Sequence, residues 1–217
     1  FMELALYHPE YGYYNSSSGV IGRTGDYYTS LNLGHWFGTL MADQLYEMWQ
    51  LLDSPSVFYI IEGGAGRGLM CTDIFNRLRD KHHDCFDAAR YIIHERSSAM
   101  IVEQERQISS CGFTEKVHWK SEQDAKFATG IYISNELIDA FPVHQVMMTE
   151  YGLIERYIDF KDSRFIYVNS PLSDKDLETY FSDLGIMLEN GQTAEINTDA
   201  SHWIEQVAVH LSKGFVI

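Results

Sequence analysis

The spacing of hydrophobic side chains alternates along the chain between the period of helices and that of strands. Apolar residues recur about every 3.6 positions over residues 33–52, which predicts a helix with Asn32 as its N-cap. Four short apolar runs predict buried strands at residues 57–61, 91–95, 117–119 and 130–134. Intervening helices are predicted at residues 69–79 and 97–108. Strands that alternate with helices in this way predict an α/β fold around an open, largely parallel sheet.

After Pro142 the pattern becomes that of an antiparallel sheet. Strand-like segments at residues 143–150, 153–160 and 164–169, with a turn at residues 151–152, predict a hairpin or meander. Helical patterns follow at residues 177–184 and 202–211. The apolar run at residues 214–217 resembles the start of a strand, and the sequence begins with Phe1 rather than Met. We therefore expect a fragment whose parent protein continues with further core strands.

Composition and charge exclude several classes of protein. With 45% hydrophobic and 22% charged residues, the 217-residue chain has an ordinary globular composition and can bury a sizeable core. No apolar run reaches the ~18 residues of a membrane span, so we expect no membrane partner. Asp and Glu number 31 against 16 Lys and Arg, and the net charge of -15 argues against a nucleic-acid partner. The 3 cysteines form no C-x-x-C pair, which indicates a reducing compartment such as the cytoplasm.

A glycine-rich segment, E-G-G-A-G-R-G at residues 62–68, connects the first predicted strand to a helix. Its glycines allow the backbone to turn sharply and to approach a ligand, and the helix N-terminus favours oxygens and negative charge. A nicotinamide fingerprint that starts at Gly64 needs a glycine five positions later, where Leu69 stands instead. The remaining form, acidic-x-G-x-G-x-G, is used by enzymes that bind S-adenosylmethionine. The alternative is a tight glycine turn without a ligand.

Two further groups of polar residues follow predicted strands. Glu95 ends the second strand, where a carboxylate can accept hydrogen bonds from both ribose hydroxyls of a cofactor, although it could also be an exposed loop residue. Asn135, Glu136, Asp139 and His144 lie within eleven residues at the end of another strand, which is typical of an active-site mouth. The alternative is that Asn135 caps a helix with acidic residues in its first turn.

Two weaker candidates remain. The run His82-His83-Asp84-Cys85 has side chains that can bind metals, but adjacent residues rarely face one ion, so we expect a solvated loop and no metal. Gly25, Asp26 and Thr29 belong to a polar segment that could cover a cofactor as a lid or could merely form a turn.

Taken together, these motifs resemble the MidA-like methyltransferases. Counterparts occur in the same order along nearly the whole chain: HPEYGYY at 8–14, GRTGDYYTS at 22–30, EGGAGRG at 62–68, IIHERSSAM at 92–100 followed by Gln104, NELIDAFPVHQ at 135–145, and Glu155-Arg156. The family usually has E-L-G-P-G-R-G, so Gly63 and Ala65 indicate a divergent member.

The resemblance implies a Rossmann-like class I methyltransferase sheet with S-adenosylmethionine as the cofactor. It divides the chain into an N-terminal extension at residues 1–54, a cofactor-binding core at 55–142, an inserted β-rich substrate region at 143–198 and a return to the core at 199–217. The residues expected at the cofactor are Glu62, Gly64, Gly66, Gly68 and Glu95, with Gly25, Asp26 and Thr29 above it. Those expected at the acceptor are Asn135, Glu136, Asp139 and, as a base, His144.

The resemblance also suggests a partner. A mitochondrial member of the family methylates a protein arginine, so a protein arginine is the first expectation for the methyl acceptor. The alternatives are a hydroxyl group of a small metabolite or carrier-bound intermediate, and an assembly factor that binds S-adenosylmethionine without catalysis. In a eukaryote the expected compartment is the mitochondrial matrix rather than the cytoplasm. The sequence predicts no oligomeric state.

Overall fold

The computed structural model describes residues 1–15, 34–120 and 127–217, with the side chains of residues 127 and 128 excepted. The helices are α1 (Met2–Tyr7), α2 (Trp36–Leu51), α3 (Leu69–Lys81), α4 (His83–Ala88), α5 (Ser98–Ser110), α6 (Asp176–Asp183) and α7 (Thr198–His210). The strands are β1 (Phe58–Gly63), β2 (Ala89–His94), β3 (Val117–Trp119), β4 (Phe127–Ser134), β5 (His144–Thr149), β6 (Gly152–Lys161), β7 (Arg164–Ser170), β8 (Thr193–Ile196) and β9 (Leu211–Val216).

Five strands form the central sheet, in the order β3-β2-β1-β4-β9, and all neighbouring pairs are parallel. The last residue of β1, Gly63, is in register with His94 on one side and with Ser134 on the other. The chain therefore leaves three adjacent strands at the same edge, and the strand order reverses between β1 and β4, where α/β folds bind ligands. The predicted α/β fold with a Rossmann-like parallel sheet is confirmed.

Helices cover both faces of this sheet because successive strand residues point to opposite sides. On one face, Ile60 of β1 packs with Leu45 of α2 and Phe75 of α3, all fully buried. On the other face, Ile61 packs in a cluster with Trp203 and Val207 of α7. Burial on both faces explains why these strands appear in the sequence as continuous apolar runs.

The second sheet is antiparallel and has the strand order β7-β6-β5-β8. β5 and β6 form the predicted hairpin, but its turn lies at Glu150-Tyr151, one residue earlier than expected, and Gly152, with a positive φ of 115°, begins β6. One face of this sheet packs on α6 through the fully buried side chains of Val146, Leu177 and Ile196.

The structure differs from the sequence prediction at several element boundaries. α2 begins at Trp36, three residues later than expected, and β2 ends at His94, one residue before Glu95. The short helices α1 and α4 and the strand β8 were not predicted, because six or four residues are too few to establish a period. Asn32, the predicted N-cap of α2, lies outside the described residues. Among the helices that the structure describes, none has the length and apolar character needed to cross a membrane.

Candidate functional site

A cavity of about 930 Å³ lies at the edge of the central sheet where β1, β2 and β4 end. Its wall combines the loops that follow these three strands with one face of α7 and part of the N-terminal segment. The volume is in the range of small-molecule and cofactor sites. The cavity brings together Glu62, Gly64, Gly66, Glu95, Asn135, Glu136 and Asp139, all predicted from the sequence. Gly25, Asp26 and Thr29, predicted as a lid, lie outside the described residues.

The loop between β1 and α3, residues 64–68, is the glycine loop, and its backbone conformation disfavours side chains. Gly64 and Gly66 line the cavity with φ values of 66° and 52°, in the left-handed region that favours glycine. A Cβ atom on Gly64 would lie 2.8 Å from Cδ1 of Leu137, which also belongs to the cavity wall. Gly68 has a φ of 75° and caps the start of α3, and within the described part of the chain it does not line the cavity. Gly68 therefore shapes the turn, and Gly64 and Gly66 form the surface.

Glu62 is a buried carboxyl group in the cavity wall, with only 1% of its surface exposed. The hydroxyl of Tyr91 donates a 2.8 Å hydrogen bond to its Oε2 atom. Burial raises the pKa of Glu62 to about 7, the Tyr91 hydrogen bond opposes this shift, and the negative charge of Glu95 adds to it. Glu62 therefore exchanges its proton near neutral pH, and a cationic group in the cavity would favour its charged form.

The carboxylate of Glu95 is held on both oxygens. The backbone N–H of Ser97 donates to Oε1 at 2.9 Å, and the side-chain amide of Gln104 donates to Oε2 at 3.0 Å. Burial raises the pKa of Glu95, and these hydrogen bonds partly offset the shift. A carboxylate oxygen can accept two hydrogen bonds, so each oxygen keeps capacity for one ligand hydroxyl.

The loop after β4 places Asn135, Glu136 and Asp139 on the cavity wall. Glu136 has a φ of 51°, which is strained for a residue with a side chain and is often found at functional sites. The alternative expectation, that Asn135 caps a helix, is wrong. The loop forms only a three-residue 3-10 helix, Ile138–Ala140, which is preceded by Leu137.

His144 is not brought to the cavity with the other predicted residues. Within the described part of the chain it does not belong to the cavity wall, and it begins β5 in the second sheet. Its Nδ1 atom lies 2.8 Å from Oε1 of Glu155, a carboxylate with 4% exposure. The backbone N–H of Ser173 and the hydroxyl of Tyr157 donate to the other oxygen of Glu155, at 2.7 and 2.9 Å. The structure thus gives His144 the role of partner to a buried carboxylate.

One face of α7 lines the cavity, and sequence reasoning missed it. The residues are Asp199, His202, Trp203 and Gln206. Their spacing of i, i+3, i+4 and i+7 is that of one helix face and could have indicated a shared surface. Asn197 caps α7 by accepting from the Ala200 N–H at 2.9 Å, and its amide donates to the Ile138 carbonyl at 3.1 Å. Asn197 therefore joins α7 to the loop after β4.

The N-terminal segment closes another side of the cavity. The hydroxyl of Tyr7 donates to the Ala140 carbonyl at 2.7 Å, and the hydroxyl of Ser97 donates to the Tyr14 carbonyl at 3.1 Å. Tyr7 and Tyr14 also line the cavity. These two hydrogen bonds attach the segment to the loops after β4 and β2, so residues from the start of the chain contribute to the site.

His94 is a second wall residue that sequence reasoning missed, although it directly precedes Glu95. Its ring is buried, and its Nδ1 atom lies 3.1 Å from the hydroxyl of Tyr132. Burial lowers the pKa of His94 to about 4, and the nearby His210 and Lys120 add to the shift. The imidazole is therefore neutral at physiological pH.

Comparison with known proteins gives a consistent set of matches. The model of a family described as "Putative S-adenosyl-L-methionine-dependent methyltransferase" matches residues 40–217. The protein arginine methyltransferase NDUFAF7 homolog of Drosophila melanogaster is 26% identical over 182 residues, which cover 75% of this chain and 41% of the relative. The bovine protein arginine methyltransferase NDUFAF7 is 23% identical over 98% of this chain and 52% of its own. The chain thus spans about half the length, or less, of these curated relatives.

Two solved structures from Burkholderia thailandensis are similar to nearly the whole chain. A superfamily member bound to S-adenosyl-homocysteine is 25% identical, with a TM-score of 0.81 over 97% of this chain and 54% of that one. A native structure from the same superfamily is 23% identical, with a TM-score of 0.79 over 97% of this chain and 52% of that one, and it supports the fold alone. These matches, together with the family model, agree with the resemblance derived from the sequence motifs.

Proposed function

Because the chain belongs to the S-adenosyl-L-methionine-dependent methyltransferase family whose model spans residues 40–217, we propose that it binds S-adenosylmethionine in the cavity and transfers a methyl group to a protein arginine. The single observation that carries this proposal is the convergence of three strand ends on one cavity. The glycine loop, Glu95 and the Asn135-Glu136 pair come from separate parts of the sequence and meet there.

The residues present fit this cofactor. Gly64 and Gly66 have positive φ angles and no side chains, so their backbone is open to the methionine portion of the ligand. A Cβ atom on Gly64 would crowd Leu137 of the cavity wall. Glu62 lies beside this loop and would face the cationic amino group. Glu95 would accept hydrogen bonds from the ribose hydroxyls with the lone pairs left free by Ser97 and Gln104.

The cofactor supplies a methyl group on a positively charged sulfur, and that charge is lost as the methyl group is transferred. The protein therefore has to hold the acceptor in line with the donor and to receive the proton that the acceptor releases. Asn135 and Glu136 occupy the loop next to the glycine loop, because β1 and β4 are adjacent in the sheet. The left-handed backbone of Glu136 turns this loop at the end of β4.

Three carboxylates of the cavity wall favour a cationic acceptor. Glu136, Asp139 and Asp199 all line the wall and are exposed. Among the described residues, none of the three is paired with a lysine or an arginine. A guanidinium group matches carboxylates through paired hydrogen bonds, and a carboxylate beside it can accept the proton released on methylation. The relatives named as protein arginine methyltransferases support the same acceptor.

The acceptor is tested by methyl transfer from radiolabelled S-adenosylmethionine to peptides. One set carries a central arginine, a matched set carries lysine, and phenols and carboxylic acids represent hydroxyl acceptors. We expect label on the arginine peptides only. Glu136→Gln should lower the rate by about tenfold or more, since a charged pair is lost, whereas Glu150→Gln at an exposed turn should leave it unchanged. Label on the lysine or hydroxyl acceptors in place of arginine would contradict the proposed acceptor.

The proposal includes a reducing compartment, the mitochondrial matrix or the cytoplasm. Cys71 and Cys85 are free and buried, and Cys111 is free and half-buried. The curated relatives from Drosophila melanogaster and Bos taurus are named as mitochondrial proteins, which favours the matrix. Fluorescence microscopy of the tagged full-length protein would test this, and a secreted protein would contradict it.

A further inference from the structure

Gln104 is a fully buried polar side chain at the back of the cavity, with 0% of its surface exposed. It belongs to α5, and its Nε2 atom donates to the carbonyl of Gly66 at 2.8 Å and to Oε2 of Glu95 at 3.0 Å. Its Oε1 atom accepts from the indole N–H of Trp119 at 2.8 Å. Within the described part of the chain, Gln104 does not line the cavity itself. It therefore contacts two residues of the cavity wall from behind.

The three partners determine the orientation of the amide. Nε2 faces two acceptors, the carbonyl of Gly66 and the carboxylate of Glu95, while Oε1 faces the donor of Trp119. In the reverse orientation the amide oxygen would face two oxygens and the amide nitrogen would face another N–H group. A carboxamide is the side chain that satisfies all three groups, since it has two donors on one atom and an acceptor on the other.

We propose that Gln104 is a positioning residue of the cofactor site, which sets the glycine loop and the Glu95 carboxylate in the arrangement that binds the ligand. The inference rests on the proposed function. Gly66 and Glu95 lie on loops after different strands, and Gln104 is a side chain that bonds to both. By donating to Glu95, it also favours the ionised carboxylate, which burial of that group opposes.

A glutamate at position 104 has the same shape but the opposite hydrogen-bonding character. Above neutral pH its carboxylate would face the carbonyl of Gly66 and the carboxylate of Glu95, which disfavours both contacts. At lower pH a proton on the pair restores one donor between the two carboxyl groups. The loss of ligand affinity in Gln104→Glu should therefore shrink as the pH falls, whereas the loss in Gln104→Leu should not shrink.

The experiment measures the affinity of S-adenosylhomocysteine at about pH 6 and about pH 8 by titration calorimetry, and expresses each variant relative to the parent protein at the same pH. Gln104→Leu should lose about tenfold or more at both pH values. Gln104→Glu should lose a similar factor at about pH 8 and recover severalfold at about pH 6. Gln107→Leu, the same change on the next turn of α5, is the control and should bind like the parent.

The outcomes separate this inference from the proposed function. If the Gln104 variants bind within about twofold of the parent, or if the glutamate and leucine variants show the same loss at both pH values, Gln104 has no positioning role. If the parent protein does not bind S-adenosylhomocysteine, the proposed function is wrong. Should Gln104→Leu fail to fold, the pH series of Gln104→Glu alone decides. Trp119→Phe then serves as its comparison, because it removes the bond to Oε1 and keeps both Nε2 hydrogen bonds.

Discussion

The hydroxyl of Tyr91 donates a 2.8 Å hydrogen bond to the carboxyl group of Glu62, and both side chains are buried between the central sheet and its helices. β1 and β2 are adjacent and parallel, with Tyr91 opposite Ile60 and Ile93 opposite Glu62, so the side chains of Glu62 and Tyr91 lie on the same face of the sheet. The hydrogen bond holds an otherwise costly carboxyl group directly beneath the glycine loop. Glu62 also lines the cavity that is proposed to receive a cationic amino group.

Ligand binding should depend on the protonation of Glu62. The pKa of this carboxyl is raised by burial to about 7, and its charged form attracts the amino group of the ligand. The affinity for S-adenosylhomocysteine should therefore fall as the pH is lowered through about 7. Glu62→Gln should remove this dependence, and Tyr91→Phe should move it to higher pH, because the lost hydrogen bond had lowered the pKa. Calorimetric titrations across this range test the prediction, and an unchanged pH profile in Glu62→Gln would refute it.

Glu62 should also affect stability, in the opposite direction. The folded protein binds the Glu62 proton more tightly than the unfolded chain, whose carboxyl has a pKa near 4.5. The contribution of Glu62 to the free energy of unfolding therefore falls as pH rises from about 4.5 to about 7, and above that window it stays at its lowered value. Glu62→Gln should unfold at a higher temperature than the parent at pH 8, since no buried charge remains. Thermal unfolding at pH 5 and pH 8 measures the effect, and a lower unfolding temperature of the variant at pH 8 would speak against it.

A matched pair of glycine substitutions separates backbone strain from ligand contact. Gly64 and Gly112 both have a positive φ, 66° and 78°, so an alanine at either position should cost about 1 kcal/mol of stability. Only at Gly64 does the added Cβ approach a neighbour, at 2.8 Å from Leu137, and only Gly64 lines the cavity. Gly64→Ala should therefore abolish binding of S-adenosylhomocysteine, while Gly112→Ala binds normally. Equal affinities of the two folded variants would show that the loop does not hold the ligand.

Glu95→Gln should weaken cofactor binding by about 1–3 kcal/mol, because a charge-assisted hydrogen bond is lost. The single amide oxygen can serve only one of the two donors, Ser97 and Gln104. Glu105→Gln is the control, since Glu105 is an exposed residue of α5 that, within the described part of the chain, does not line the cavity. Calorimetry with S-adenosylhomocysteine measures both variants. Parent-like affinity of Glu95→Gln would reduce Glu95 to a structural residue.

His144→Ala should affect stability rather than ligand binding. Removal of the imidazole leaves the buried carboxylate of Glu155 with one partner fewer, at a cost of about 1–3 kcal/mol. Burial alone would raise the pKa of Glu155, but the hydrogen bonds from His144, Ser173 and Tyr157 together lower it. The stability that these hydrogen bonds contribute should therefore be lost as the pH falls and Glu155 becomes protonated. His202→Ala, the same change at an exposed position of the cavity wall, should leave stability unchanged. Loss of nearly all methyl transfer by a folded His144→Ala protein would restore His144 as the base.

The sequence predicts the fold well where each element has its own hydrophobic period. The strands around Ile60, Ile92 and Ile133 are buried on both faces, so each appears as an apolar run that needs no tertiary information. The short elements α1, α4 and β8 depend on packing against the rest of the molecule. In α4, for example, only Cys85 and Ala88 are buried. Such segments cannot be distinguished from loops by pattern alone.

The site was predictable where polar residues directly follow strands, because parallel strands bring their carboxyl ends to one edge. Glu95 and Glu136 follow β2 and β4, Glu62 is the next-to-last residue of β1, and all three line the cavity. Asp199 and His202 belong to α7, which lies beside the cavity because the chain returns to the central sheet after β8, and Tyr7 belongs to α1. None of the three follows a strand of the central sheet, so this rule could not find them. His144 follows the same strand as Glu136, but the 3-10 helix between them diverts the chain into β5.

The most direct measurement is a calorimetric titration of the purified protein with S-adenosylmethionine, S-adenosylhomocysteine and NAD under identical conditions. The glycine loop places Leu69, rather than a glycine, at the position that a nicotinamide fingerprint requires, and Glu62 faces the cavity beneath the loop. We predict one site that binds both S-adenosyl ligands, with dissociation constants on the order of micromolar, and no heat from NAD. Binding of NAD without either S-adenosyl ligand would contradict the account.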